Sequence, residues 1–316
     1  MSSYFSLALH GGAGTIAPGR AELQAPYREA LHAVLTVGQK VLADGGSALD
    51  AVVATVVQLE DCDLFNAGHG SVFTADAGHE LDAGVMEGSS LAAGAVAGVR
   101  TIRNPILAAL EVMRDGRSVM LGGDGAEAFA RQRGLAIVDP SYFSTPHRLA
   151  QLRAVQAKLG AQAILDHDAA ATEMQDSQGF GTVGAVARDR QGRLAAATST
   201  GGLTNKVTGR ISDSSIIGAG VYANDATCAV SCTGTGEFFI RGCVAHDVHA
   251  RIAYLKQDLA CAAHDAIAQS LEPLGGRGGV IAVSRDGELA MPFNSVGMYR
   301  GWVREGEHPA VAIFSS

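Results

Sequence analysis

The segment Gly181-Thr182-Val183-Gly184-Ala185-Val186 puts a hydroxyl directly behind a glycine, at the point where a polar stretch gives way to an apolar one. Gly181 has no side chain to hinder attack on its carbonyl and tolerates a strained backbone. Attack by the Thr182 hydroxyl on that carbonyl would break the chain and leave Thr182 with a free α-amine. An α-amine titrates near ~7.7–8.0, so it can be neutral around physiological pH and deprotonate its own neighbouring hydroxyl. One residue would then supply both nucleophile and base. Taken alone, the hexapeptide also fits an ordinary strand start, because Thr and Val favour strands.

Three further groups could complete such a site. Thr198-Ser199-Thr200 ends the strand that pairs with the one begun by Thr182, and a hydroxyl there can hold the nucleophile. Arg210 and Asp213 offer a planar fork for a carboxylate and an anion for an ammonium, the two charges of a free amino acid. Thr233-Gly234-Thr235-Gly236 leads into a helix near Glu237, where backbone N–H groups can face an oxyanion. Other groupings carry less. His246 and His249 with Asp247 lack a third ligand group and read as a solvated helix face. His79-Glu80 lacks the second His of a zinc-protease motif. No G-x-S-x-G, no G-x-x-x-x-G-K-[ST] and no G-x-G-x-x-G after a strand occurs.

The elements that must position these residues follow from hydrophobic spacing. Tyr4–His10 reads as a buried strand ending in the loop His10-Gly11-Gly12-Ala13-Gly14. Helices are expected over about 22–43 and, behind the N-cap Ser47, over 48–59. A loop through Asn66-Ala67-Gly68-His69-Gly70 leads to strand candidates Ser71–Thr74 and Leu91–Val99, joined through Leu81-Asp82-Ala83-Gly84. Helices about 105–114 and 126–133 follow. From about 151 to 179 the pattern weakens, and 165–181 reads as an exposed linker. Beyond it, 183–188 and 193–198 form a hairpin, 280–284 and 288–292 another, and 227–232 a third buried strand. Helices about 237–254 and 259–269 lie between. Blocks of antiparallel strands and of helices favour an α+β layered fold, a single unit over 1–316.

The composition bounds what such a fold does. The chain has 316 residues, 47 % apolar, with a formal net charge of −8. Forty glycines, roughly 13 % against a usual ~7 %, mean many tight turns, and no G-X-Y period accompanies them. The acidic balance and the absence of a Lys/Arg cluster exclude phosphate-backbone binding, so no nucleic acid is expected. No apolar run approaches ~18 residues, so no membrane span is expected. No secretory leader is read at the start, and five Cys without a CxxC pair read as buried thiols in a reducing compartment. A cytoplasmic location is the expectation.

Taken together these segments resemble the plant-type asparaginases, or isoaspartyl aminopeptidases, of the N-terminal-nucleophile hydrolase superfamily. The likeness covers nearly the whole chain: HGGAG at 10–14, LFNAGHGSVFT at 64–74, ELDAGVMEG at 80–88, GTVGAVA at 181–187, AAATSTGGLTNK at 195–206, GRISDS at 209–214, CTGTGE at 232–237 and PFNSVGMYRG at 292–301. It implies an αββα four-layer sandwich and autocatalytic cleavage between Gly181 and Thr182, giving an α subunit of 181 residues and a β subunit of 135. Thr182 is then the threonine nucleophile, Thr200 the residue that hydrogen-bonds it, and Thr233 and Gly234 the oxyanion hole. Arg210 binds the substrate α-carboxylate, Asp213 binds the α-ammonium, and Asn66 orients the nucleophile or precursor. The resemblance further implies a structural sodium ion on the main-chain carbonyls of Leu59, Glu60, Cys62, Phe65, Ala67 and His69, no organic cofactor, and a dimer of cleaved αβ protomers. The expected substrates are L-asparagine and β-aspartyl dipeptides. Thr208 stands where the family usually has Pro, Ser212 where it has Gly, and Val296 where it has Glu. A glycosylasparaginase-like amidase of the same superfamily and a non-enzymatic small-molecule binding protein are the alternative readings. Asp213 disfavours a protease-like relative, whose ligand would lack a free α-amine.

Overall fold

A computed structural model describes residues 4–14, 20–159 and 181–315. Apart from Gly181, the expected linker 165–181 lies outside them. The chain forms two β-sheets and eight α-helices among the described residues. Strands β1 (Ser6–Ala13), β2 (Leu81–Glu87), β3 (Ala93–Val99), β4 (Met120–Gly122), β5 (Val183–Arg188) and β6 (Leu194–Thr200) join the C-terminal β11 (Met298–Arg304) and β12 (Ala310–Ala312) in an eight-stranded sheet, ordered β12-β11-β1-β5-β6-β2-β3-β4. The smaller sheet runs β10-β9-β8-β7, from β7 (Val221–Ala223), β8 (Cys228–Gly234), β9 (Gly278–Ser284) and β10 (Leu289–Ala290). Strands from either side of residue 181 alternate in the large sheet, and β1 lies between β11 and β5. The two sides therefore share one core.

Helices α1 (Ala21–Ala43), α2 (Ala48–Glu60) and α3 (Pro105–Asp115) pack on the large sheet. In α1 the buried positions Tyr27, Leu31, Val34, Leu35, Gly38 and Leu42 recur at helical spacing. Ser47 starts α2 with a capping box: its Oγ accepts from the Asp50 N–H at 3.1 Å, and the Asp50 carboxylate accepts from the Ser47 N–H at 3.3 Å. Pro105 opens α3, and Gly116 at φ 69° closes it. Helices α4 (Gly123–Gln132) and α5 (Pro146–Leu159) follow. After the break come α6 (Gly236–Gly242), α7 (Val244–Leu255) and α8 (Leu259–Asp265), and α7 and α8 cover the small sheet. The facing sides of the two sheets bury Ala8, Val186, Ala196, Val221, Ala229 and Ile281 together.

Several expectations change. Leu81–Glu87 is not a connection but the strand β2, paired with both β6 and β3. Asp82 and Gly84 are poor strand formers, yet the Asp82 carboxylate accepts from the Gly98 N–H at 2.9 Å and the Ser212 N–H at 2.8 Å, which satisfies it inside the sheet. Ser71–Thr74 is no strand. Its N–H groups serve turns, with Ser71 bonded to Gly68 O, Val72 to the Asn66 side chain and Thr74 to Gly78 O; one bridge joins Thr74 to Lys206. β1 continues through Gly11–Ala13 past a bulge at His10/Gly12. The expected helix 237–254 is two, broken at Cys243, which adopts φ 47°. Helical geometry after Leu259 loosens at Ala266 into a π-type stretch to Leu271. All five cysteines are free, but Cys243 and Cys261 are exposed. Among the described residues no helix is long and apolar enough to cross a membrane.

Candidate active site

Thr182 immediately precedes β5 and is 5 % exposed. Val183 pairs with Ser199 on β6, so the register carried one residue back sets Thr182 opposite Thr200. Side chains alternate along a strand, and a Cβ on Gly184 would run into Ser231 of the small sheet. Thr182 therefore points between the sheets, as do Thr198 and Thr200. The Thr198 hydroxyl meets Ser231 Oγ at 2.7 Å, whereas Thr200 Oγ1 accepts from the Gly202 N–H at 2.9 Å. Of the two expected hydroxyls, Thr200 is thus the one across from Thr182.

His10, fully buried on β1, joins Thr182 to the small sheet. Its Nδ1 lies 2.9 Å from the Thr182 carbonyl oxygen and its Nε2 2.9 Å from Ser231 Oγ. Burial lowers its pKa to about 3, against the carbonyl contact, so the ring is neutral. A carbonyl only accepts, so Nδ1 carries the proton and Nε2 accepts from Ser231. The motif read as HGGAG thus has a second use. Gly12 sits at φ 114°, and a Cβ there would come within 2.5 Å of Gly181 N. Only a glycine lets β1 lie against the residue before Thr182.

Thr233, at the end of β8, closes the opposite side. A Cβ on Gly181 would stand 2.9 Å from Thr233 Oγ1, and that oxygen accepts from the Ala13 N–H at 3.0 Å. Gly234 follows at φ 149°, where any side chain would meet the Arg277 carbonyl. The Asn66 side-chain amide donates to Gly202 O at 2.7 Å, and the Asn66 main-chain carbonyl accepts from the Gly201 N–H at 3.0 Å. Asn66 thereby holds the turn that follows Thr200.

Arg210 and Asp213 converge above Gly236: the position of a Cβ there lies 3.0 Å from Arg210 Nη2 and 2.8 Å from Asp213 Oδ1. Asp213 is 1 % exposed, and neither carboxylate oxygen has a hydrogen-bond partner among the described residues. Burial pushes its pKa up to about 7, while the Arg210 guanidinium pulls it down. A buried carboxylate without donors is costly unless a ligand brings them. The loop bearing Arg210 is held by Glu80, which accepts from the Gly209 N–H at 2.7 Å, and by the buried Lys206, whose Nζ donates to Glu80 O at 2.6 Å. Thr208 and Ser212 fit into this frame: the Thr208 hydroxyl donates to Asp76 at 2.8 Å, and Ser212 caps the 3-10 turn 213–215.

The sequence did not single out His10, Ser231 or the pairing of Arg210 with Glu237. Glu237 accepts from Arg210 Nε and Nη2, each at 2.9 Å, across 27 residues. The His10 motif was visible as a glycine-rich loop, but its contact with Thr182 is a long-range one. His246 and His249 are not a solvated face: His249 is 8 % exposed, stacks near Tyr222 and meets the Thr227 hydroxyl at 2.6 Å. Among the described residues no cluster of His, Cys, Asp or Glu could hold a metal. In the loop 59–69 the Glu60 carbonyl accepts from the His69 N–H at 2.7 Å and the Cys62 carbonyl from the Phe65 N–H at 3.3 Å. Gly68 folds back so closely on the Glu60 carbonyl that a Cβ would overlap it, and Arg148 Nε ties Gly70 O to α5 at 2.6 Å.

Comparison with known proteins gives the same direction. The family model described as "Asparaginase" matches residues 3–313. An isoaspartyl peptidase of Escherichia coli (strain K12) is 52 % identical over 98 % of this chain and 95 % of its own length. A probable isoaspartyl peptidase/L-asparaginase of Arabidopsis thaliana is 40 % identical over 98 % of this chain and 99 % of its own, and an isoaspartyl peptidase/L-asparaginase of Rattus norvegicus 38 % over 94 % and 85 %. With the family model matched over residues 3–313 and relatives covered nearly from end to end, this chain belongs to the asparaginase family.

Proposed function

We propose that the chain is a self-processing threonine amidohydrolase that hydrolyses L-asparagine to aspartate and ammonia and cleaves β-aspartyl dipeptides. The orphaned Asp213 carboxylate beside the Arg210 guanidinium is the observation that carries this reading, because the ammonium of a free α-amino acid head group supplies the donors Asp213 lacks while its carboxylate suits the adjacent guanidinium. Relatives named for these two activities support the substrate class.

Maturation starts with the Thr182 hydroxyl attacking the Gly181 carbonyl. The C–N bond between them breaks as the Gly181 acyl group passes to Oγ1 and the α-amine is freed, and water then hydrolyses that ester, leaving 1–181 with a new carboxylate and 182–316 with Oγ1 free. The freed α-amine of Thr182 then takes the proton of its own hydroxyl, and Oγ1 attacks the β-carbonyl of a substrate held by Arg210 and Asp213. The oxyanion faces Thr233 and Gly234. The amine returns the proton to the leaving ammonia or amino acid, and water releases aspartate from the β-aspartyl ester. His10 holds the Thr182 carbonyl throughout, and Asn66 holds the turn behind Thr200. Helices packed on the outer faces of two stacked sheets support an αββα sandwich. The carbonyls of Leu59, Glu60, Cys62, Phe65, Ala67 and His69 would hold a structural sodium ion, with no role in bond breaking. A dimer of cleaved protomers accompanies this reading.

Purified protein should release ammonia from L-asparagine and leucine from β-aspartyl-leucine, and Thr182→Ala should do neither. Turnover by Thr182→Ala at the wild-type rate would end this reading; so would failure of the wild-type protein on both substrates. Hydrolysis of a glycosylated asparagine in preference to both would favour the glycosylasparaginase-like alternative.

A further inference from the structure

Arg210 offers its guanidinium through two bidentate edges, one formed by Nε–H with Nη2–H and the other by Nη1–H with Nη2–H. Glu237 occupies the first with two 2.9 Å bonds. The second edge has no hydrogen-bond partner among the described residues. Two glycines stand against it: a Cβ on Gly202 would lie 3.0 Å from Nη1, and one on Gly236 3.0 Å from Nη2. Gly236 also adjoins Asp213 Oδ1. Nη2, shared by the two edges, thus lies near Asp213, the open Nη1 end lies beside Gly202, and the closed edge faces Glu237 on the rim. The Arg210 side chain is 12 % exposed and that of Glu237 48 %.

We infer that Glu237 is a positioning and specificity residue, clamping one edge of Arg210 so that the other is presented to the substrate α-carboxylate. A long arginine side chain loses substantial rotamer freedom when fixed, and Glu237 carries that cost before substrate arrives. The same clamp sets the charge of the site. Arg210 and Glu237 cancel, so an anion alone finds little net attraction. A ligand bearing an ammonium for Asp213 as well completes both pairs. The selected class is β-amides of an aspartyl group with both α-substituents free. Glu237 also lies three residues beyond Gly234, so the carboxylate fork and the oxyanion segment are fixed by one short stretch of chain. This inference rests on the functional reading above.

The opposite role is a competitor, in which Glu237 occupies Arg210 until substrate displaces it. The two differ in sign. Steady-state kinetics on L-asparagine and β-aspartyl-leucine would compare the wild-type protein with Glu237→Ala and Glu237→Gln, each confirmed as cleaved at Thr182. Positioning predicts that Glu237→Ala raises KM roughly 10- to 100-fold with kcat within about threefold, and that Glu237→Gln, which keeps one acceptor, is intermediate. An unchanged or lower KM, or a fall in kcat alone, overturns it. If Glu237→Ala does not mature, calorimetric titration of aspartate into uncleaved Thr182→Ala with and without Glu237→Gln decides in the same way: weaker binding supports positioning, and equal or tighter binding refutes it. Wild-type turnover in the same assay separates the two failures, because its absence would remove the functional reading itself.

Discussion

Asp213 links recognition to stability with a definite sign. Its carboxyl is shifted from 3.8 to about 7, the unusual direction for an acid, because burial outweighs the pull of Arg210. Between those values the folded state holds a proton that the unfolded chain has released. Stability must therefore fall as pH rises through that window, and the loss is complete above about 7. At 1.36 kcal/mol per pH unit, that span corresponds to about 4 kcal/mol. Asp213→Asn removes the ionisable group while keeping its shape. In the uncleaved Thr182→Ala background, where unfolding involves one chain, the Asn substitution should stabilise by up to about 4 kcal/mol at pH 8, or roughly 2 °C in Tm per kcal/mol, and by very little at pH 4. In the mature protein the same change should raise KM for L-asparagine by roughly 100-fold, since the substrate ammonium loses a buried charged partner. Thermal unfolding from pH 4 to 8 and steady-state kinetics read the two effects. A benefit independent of pH, one that grows toward acid, or an unchanged KM would refute the reasoning.

Two further outcomes follow from the packing. Gly12→Ala forces a Cβ to 2.5 Å from Gly181 N at φ 114°, so it should destabilise by several kcal/mol and slow the appearance of the two fragments on a denaturing gel. Gly45→Ala is the control: its φ of 89° carries the same kind of strain with open space around it, so it should cost about 1–2 kcal/mol and mature at the wild-type rate. If the loop 59–69 holds sodium, replacing sodium chloride by tetramethylammonium chloride at equal ionic strength should lower Tm, and titrating sodium back should restore it; a Tm indifferent to the cation would remove that site.

The candidate residues were named from short local segments. Gly181-Thr182, Arg210 with Asp213, and Thr233-Gly234 each occupy a few adjacent residues; each alone also fits a plain structural role, and it is their order along the chain that resembles one family. The hairpin of β5 and β6 was readable, since alternation and a turn define it. The clamp on Arg210 was not, because Glu237 is 27 residues away and reads locally only as the start of a helix. Strand β2 was hidden by Asp82 and Gly84, whose low propensity is overridden by hydrogen bonds and pairing on both sides. The edge strands β4, β7 and β12 have three residues each, too few for periodicity to register. Ser71–Thr74 had the right composition but spends its hydrogen bonds on turns, which composition does not reveal.

The account depends most on the bond before Thr182. Intact mass and N-terminal sequencing of fully active protein should find two chains, one of them beginning Thr-Val-Gly-Ala-Val. A single uncut chain with full activity on β-aspartyl-leucine would contradict it.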